Sequence, residues 1–227
     1  MEFVFFLLGL TGRWGRSIRK IHPRASAWGI LWCSRNTLFE CVYFNHGHYQ
    51  RMEDSINHIH FPRTKPPPKN TRSLISVFEA HLGEIGTVRQ DDGLKSNEVL
   101  GMLRPDLVDL GFNVEAGKKE HEKIKRPVFF GEGGEPTLKY EVDAYHGEWG
   151  FGLEVEAGRA WQGNAIYRDL IQAMVMVRVD VLALAVPNIY KWSGGSSPDY
   201  ERTKSVAEAI YGHSRVELPY GLLLIGY

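Results

Sequence analysis

Apolar side chains recur every three or four positions in four stretches of the chain, and this spacing predicts amphipathic helices. The predicted helices occupy residues 73–85, 96–110, 165–178 and 199–212. Ser96 and Asn164 are residue types suited to capping the second and third helices at their first turns. Pro105 lacks a backbone N–H, so we expect the second helix to kink or restart there.

A different pattern fills the gaps between these helices. Apolar and polar residues alternate over 138–145 and again over 151–157, on either side of the sequence HGEWG, which predicts a β-hairpin. Nearly continuous apolar runs at 180–187 and 221–227 are typical of strands covered on both faces. Shorter strands are predicted at 111–117 and 126–132. The whole pattern favours an α/β fold with a mixed central β-sheet flanked by helices.

The predicted hairpin places acidic side chains close together. A turn centred between Glu148 and Trp149 sets Asp143 directly opposite Glu154, with their Cβ atoms about 4.5–5.5 Å apart. Glu156 lies two residues further along the same strand, so its side chain points to the same face as that of Glu154. Three like charges at this distance are unfavourable unless they are protonated, solvated or bridged by a cation.

A divalent cation is the partner that suits such a cluster best. Mg²⁺ prefers oxygen ligands and shares its remaining positions with water and substrate phosphates, and Mn²⁺ is an alternative. A metal ion held by carboxylates against a phosphodiester can generate hydroxide and stabilise the charge that develops on phosphorus. The other interpretation is a solvated hairpin face whose three acids share no ligand.

The order of these features resembles the PD-(D/E)XK nuclease superfamily, which includes restriction endonucleases. Over residues 96–190, a helix precedes an acid near the end of one hairpin strand, the sequence EVE, another helix and a buried apolar strand. The resemblance implies a restriction endonuclease-like core of one helix, three antiparallel strands, a helix and a strand. It also implies magnesium-dependent hydrolysis of DNA, with double-stranded DNA as the partner, and leaves a homodimer open.

The resemblance assigns roles by position. Asp143 matches the metal-binding Asp of the family, Glu154 matches its (D/E), and Glu98 is the candidate for an acid on the first helix. Glu156 occupies the position of the motif lysine, where it is a metal ligand, a base or a sign of an impaired site; Val142 replaces the motif proline. The acid at 156 keeps a second function open, that of a catalytically inactive nuclease-fold domain acting as a binding or regulatory module.

Three polar residues after the cluster are candidate nucleic-acid contacts. Arg168 and Gln172 lie four positions apart on the polar face of a predicted helix, and Arg159 precedes them. A solvated helix face is the alternative for each. A third function, a metal-independent hydrolase with Asp143 and Glu154 as acid and base, is less favoured, because such pairs usually occupy larger, aromatic-rich clefts.

The N-terminal part differs from the rest of the chain. Residues 1–51 carry seven of the 27 basic residues and two of the 27 acidic ones, with no sustained periodicity. We expect residues 1–62 to be a poorly structured extension, or to lie partly upstream of a true start at Met52. A Pro-rich linker at 63–72 and one domain at 73–227 follow.

Charge and cysteine content narrow the function classes further. Residues 52–227 hold the other 20 basic and 25 acidic residues, so this part of the chain is not a general polyanion binder and any contact with nucleic acid must come from a local patch. Two cysteines make neither a disulfide framework nor a four-ligand zinc site. The apolar start at residues 3–10 is too short to span a bilayer. We therefore expect a cytoplasmic protein with no membrane partner.

Overall fold

The structure is a computed structural model that describes residues 41–45, 48–52, 55–88, 93–157, 161 and 164–227. The strands in these ranges are β1 Cys41–Asn45, β2 His48–Met52, β3 Asn57–Phe61, β4 Asn113–Val114, β5 Ile124–Phe130, β6 Pro136–Val142, β7 Ala144–His146, β8 Phe151–Val155, β9 Val181–Val186, β10 Tyr190–Trp192, β11 Gly195–Ser197 and β12 Gly221–Gly226. The α-helices are α1 Thr71–Ala80, α2 Leu82–Ile85, α3 Ser96–Asp109, α4 Ala165–Val175 and α5 Asp199–Gly212. None of these helices is both long and apolar enough to cross a membrane.

Six strands form one mixed sheet in the order β3-β12-β9-β8-β7-β4. Strand β9 is parallel to both β8 and β12, whereas the other neighbouring pairs are antiparallel. Every residue of β9 is buried, as its continuous apolar sequence predicts. The predicted mixed central sheet flanked by helices is confirmed.

Helices cover both faces of this sheet. Because successive residues of a strand point to opposite sides, Ala183 packs in one core cluster while Leu182 and Leu184 pack in the other. Side chains of α1 and α3 fill the first cluster, and those of α4 and α5 contribute to the second. From α3 to β9, the chain passes through a helix, three antiparallel strands, a helix and a strand, with the β5–β6 hairpin inserted after β4. The resemblance implied this order.

The interior of α3 differs from the prediction. The helix runs through Pro105 without interruption, whereas a kink or restart was expected. Leu103 and Leu107, on either side of the proline, are both fully buried. Packing of this apolar stripe therefore holds the two halves of the helix in line despite the missing backbone hydrogen bond.

Helix ends also depart from the sequence-based bounds. The first predicted helix is divided into α1 and α2 at His81, and α4 ends at Val175 rather than at residue 178. Asn164 has a left-handed backbone (φ 55°) and makes no capping bond with its side chain, because a capping residue needs an extended backbone instead. Ser96 is the first residue of α3, and its hydroxyl accepts the Ala157 N–H at 3.0 Å.

The predicted boundary between extension and domain is wrong. Strand β3, at residues 57–61, was assigned to the extension but pairs with β12 at the edge of the main sheet. Phe61 is fully buried in the core beside α5. The Pro-rich stretch after it connects β3 to α1 within the domain, so the domain includes residues from Asn57 onward.

The long strand predicted at 138–145 is divided at Asp143. Its first part, β6, pairs with β5 in a separate two-stranded sheet, and its last part, β7, pairs with β4 and β8 in the main sheet. Strand β4 covers only two residues of the stretch predicted at 111–117. The chain thus passes from one sheet to the other at Asp143, next to a short edge strand.

Candidate active site

The hairpin register brings Asp143 and Glu154 to the same level of the sheet. Strands β7 and β8 pair Ala144 with Leu153, which is the register that the predicted hairpin requires, and Asp143 and Glu154 are the residues next to this pair. The Asp143 Oδ2 atom accepts the backbone N–H of Val155 at 2.8 Å. Both acidic side chains line one cavity of about 620 Å³. The hairpin register predicted from the alternating pattern is therefore present, and both acids face the same cavity.

Other acids share this cavity. Glu115, immediately after β4, and Asp169, on α4, line it together with Asp143 and Glu154. The Glu115 backbone N–H donates to the Asp143 carbonyl oxygen at 2.7 Å, which fixes the two residues side by side. Neither of these two acids was among the candidates predicted from the sequence. The available signals were the place of Glu115 within the predicted strand at 111–117 and the position of Asp169 beside Arg168.

These acids are far more buried than those of an ordinary hairpin face. Glu154 is 8% exposed and Asp169 is 2% exposed. Burial raises the pKa of Asp143 to about 6, against the lowering effect of the Val155 N–H. Burial also raises the pKa of Glu154 well above its ordinary value, and the charge of Asp143 raises it further. The interpretation of a solvated face therefore does not fit Glu154.

Glu156 has a different environment from the one predicted. It does not line the cavity, and its Oε1 atom accepts a hydrogen bond from Arg168 Nη2 at 3.0 Å. Its backbone N–H donates to Ala185 and its carbonyl oxygen accepts the Tyr227 hydroxyl, so the main chain is fixed on both sides. Burial raises the pKa of Glu156 to about 8, helped by the charge of Asp169 and opposed by that of Arg168.

Basic side chains form part of the cavity wall. Lys123 Nζ lies 2.7 Å from Glu115 Oε1 and 3.5 Å from Glu141 Oε2, so its charge is shared between two acids. Lys118 and Lys139 also line the cavity, and within the described ranges neither has a carboxylate within 4.0 Å. Two cations are thus available to a ligand.

Some of the remaining predicted site residues line the cavity, and others do not. Arg168 and Gln172 of α4 line the cavity, as expected for candidate contacts. Glu98 is exposed and accepts the Lys95 backbone N–H at 2.8 Å, so it is engaged at the start of α3. Asn97, and not Glu98, is the α3 residue that lines the cavity. Arg159 lies outside the described residues.

The donor set fits a metal site built on two carboxylates and not on three. No group of three or more His, Cys, Asp or Glu side chains in the described part of the chain has the geometry to hold a metal ion. Glu156, the third acid predicted for this site, does not line the cavity and accepts a hydrogen bond from Arg168. Mg²⁺ is commonly bound by one or two carboxylates, with waters and phosphate oxygens completing its shell. Asp143 and Glu154 provide such a pair.

Comparison with known proteins gives a likeness in structure alone. No family model and no curated protein matches the sequence. The fold is similar to that of the restriction endonuclease BglII, solved in complex with a DNA 16-mer, with a TM-score of 0.43 and 9% sequence identity. The similarity covers 76% of this chain and 75% of that one.

Proposed function

We propose that this chain hydrolyses phosphodiester bonds of DNA, using a divalent metal bound by Asp143 and Glu154. The observation that supports the proposal most directly is a cavity lined by the half-buried Asp143 and the buried Glu154, with the exposed Lys118 and Lys139 in the same wall. Ionised carboxylates in such a place are costly without a cation. Mg²⁺ suits the oxygen donors, and Mn²⁺ is an alternative.

The cavity residues have different roles in the proposed reaction. The Val155 N–H and the hairpin register hold Asp143 and Glu154 in position before any ligand arrives. When bound, the metal would activate a water molecule and polarise the phosphate. Lys118 and Lys139 would bind phosphate oxygens of the substrate backbone. This arrangement gives the cavity both a catalytic centre and a means of holding its substrate.

The size of the cavity limits what enters it. A volume of about 620 Å³ accommodates a phosphodiester with its adjoining sugars, whereas the rest of a DNA molecule must lie across the mouth. Double-stranded DNA is the substrate that we propose on the basis of the motif. A homodimer, which would present two cavities to one duplex, and a cytoplasmic location are part of the same proposal.

A cleavage assay tests this function. We expect the wild-type protein to cleave plasmid DNA with Mg²⁺ or Mn²⁺ and to stop when EDTA is added. Asp143→Asn and Glu154→Gln should each abolish cleavage, because each removes a charged metal ligand at nearly constant volume. Glu148→Gln, an exposed acid in the turn of the same hairpin, is the control and should cleave normally. Cleavage in EDTA, or full activity of Asp143→Asn, contradicts the proposal.

A second candidate is a binding or regulatory module with the same fold but no catalysis. The acid at the motif lysine position, which is engaged with Arg168, favours this candidate. It predicts that wild-type protein binds Mg²⁺ and DNA yet leaves the DNA intact at every metal concentration. The cleavage assay therefore separates the two candidates.

A further inference from the structure

We propose that Arg168 supplies the positive charge that the motif would place at position 156, and that Glu156 is a positioning residue that holds Arg168 against the cavity. The inference rests on the proposed nuclease function and names two further residues for it. The chemical partner of Arg168 is a phosphate oxygen of the DNA strand being cleaved.

The guanidinium group of Arg168 is held at two points. Its Nη2 atom lies 3.0 Å from Glu156 Oε1 and 2.8 Å from Asp169 Oδ1, and its Nε also donates to Asp169 Oδ1 at 2.8 Å. Both acceptors are buried carboxylates, so these are charge-assisted bonds with little freedom to rearrange. The anchors come from different elements, the residue after β8 and helix α4.

The anchored group still has donors to offer. A guanidinium carries five N–H donors, and the bonds to Glu156 and Asp169 use only Nε and Nη2. The Nη1 group makes no hydrogen bond to any described residue in the structure, and the Arg168 side chain is 57% exposed. Because Arg168 lines the same cavity as Asp143 and Glu154, its remaining donors are available to a phosphate bound there.

The position of Arg168 beside Glu156 explains why an acid at position 156 is compatible with a working site. A lysine introduced there would set an ammonium group beside the guanidinium and remove one of its two anchors. Glutamate on the strand and arginine on the helix give the complementary arrangement, with one cation facing the cavity. Arg168 would then stabilise the charge that develops on the phosphate during cleavage, and Glu156 would act only through Arg168.

Exchanging the two charges gives the sharpest test. Arg168→Ala should lower kcat at least 100-fold with a smaller change in KM, the size of effect seen when one donor to a developing charge is lost. Arg168→Lys should recover part of that loss. Glu156→Lys alone should be inactive, whereas Glu156→Lys combined with Arg168→Glu should regain at least tenfold over the single variant. Arg215→Ala, an exposed arginine in the loop before β12, is the matched control and should cleave normally.

Binding to duplex DNA in metal-free buffer provides a readout that does not depend on catalysis. Loss of one phosphate contact lowers the slope of log K against log salt concentration by about 0.9. We expect this decrease for Arg168→Ala and not for Arg215→Ala, with circular dichroism confirming that both variants are folded. An unchanged slope, or normal cleavage by Arg168→Ala while Asp143→Asn is inactive, overturns the inference but leaves the proposed function standing. No cleavage by the wild-type protein overturns both.

Discussion

Replacing Asp143 by asparagine should make the metal-free protein more stable while weakening its affinity for Mg²⁺. The carboxylate is half-buried next to the charge of Glu154, so its own charge is unfavourable in the folded state until a cation is bound. Asparagine has nearly the same volume and keeps an oxygen that can accept the Val155 N–H. An ordinary surface acid would change neither property.

The structure sets the size of the effect. Burial raises the pKa of Asp143 from 3.8 to about 6, which corresponds to about 3 kcal/mol against the charged form. The new amide group must find its own hydrogen-bond partners in the cavity, so we expect a net gain of about 1–2 kcal/mol in the free energy of unfolding. For a chain of this length, that gain raises Tm by roughly 2–8 °C.

The gain should depend on pH in a definite direction. Because the pKa of Asp143 is raised on folding, the folded protein binds more protons than the unfolded chain between pH 3.8 and about 6. The stability of the wild-type protein therefore falls as pH rises through this window, and the penalty is fully present above it. The wild-type protein and the Asp143→Asn variant should melt at similar temperatures near pH 4 and should differ most near pH 8.

Thermal melts in EDTA, followed by melts with added Mg²⁺, measure both parts of the prediction. Mg²⁺ should raise the Tm of the wild-type protein more than that of Asp143→Asn, because a ligand stabilises the state that binds it. Glu148→Gln serves as the control for loss of an exposed acid from the same hairpin. A metal-free Asp143→Asn protein that melts at or below the wild-type temperature near pH 8 would refute the reasoning.

Two further predictions concern the fold boundary and the cavity wall. A chain starting at Met52 should melt cooperatively within a few degrees of the full-length protein. A chain starting at Arg63 should be strongly destabilised, because it lacks β3 and the buried Phe61. Equal Tm values for the two truncated chains would contradict the observed boundary. Lys139→Ala should weaken DNA binding and lower its salt slope by about 0.9, measured by fluorescence anisotropy, while Lys204→Ala on α5 should leave the slope unchanged.

The sequence predicts the parts of the fold that local patterns determine. The continuous apolar runs locate β9 and β12, and the bounds of α5 agree with the predicted 199–212. The alternating pattern around HGEWG also predicts the observed register, in which Ala144 faces Leu153, because the length of the turn determines which residues face each other. That register alone is enough to predict that Asp143 and Glu154 belong to one site.

The remaining features of the fold and of the site depend on contacts between segments that are distant in the sequence. Strand β3 is short and half polar, and only its pairing with β12 assigns it to the domain. Glu115 lies at the cavity because β4 pairs with β7. A strand of two residues has no recognisable sequence pattern, so this pairing could not be predicted. The partner of Glu156 is likewise distant in sequence: β8 ends at Val155, and the carboxylate of the next residue is paired with Arg168 of α4, a contact that the strand pattern does not predict.

Calorimetric titration of Mg²⁺, repeated with Mn²⁺, into the full-length protein tests the central claim most directly. We predict saturable binding of a divalent ion to the wild-type protein at millimolar or lower concentration, and its loss in Asp143→Asn and Glu154→Gln but not in Glu148→Gln. Binding that survives in Asp143→Asn, or no binding by the wild-type protein at millimolar metal, would contradict the assignment of Asp143 and Glu154 as a metal site.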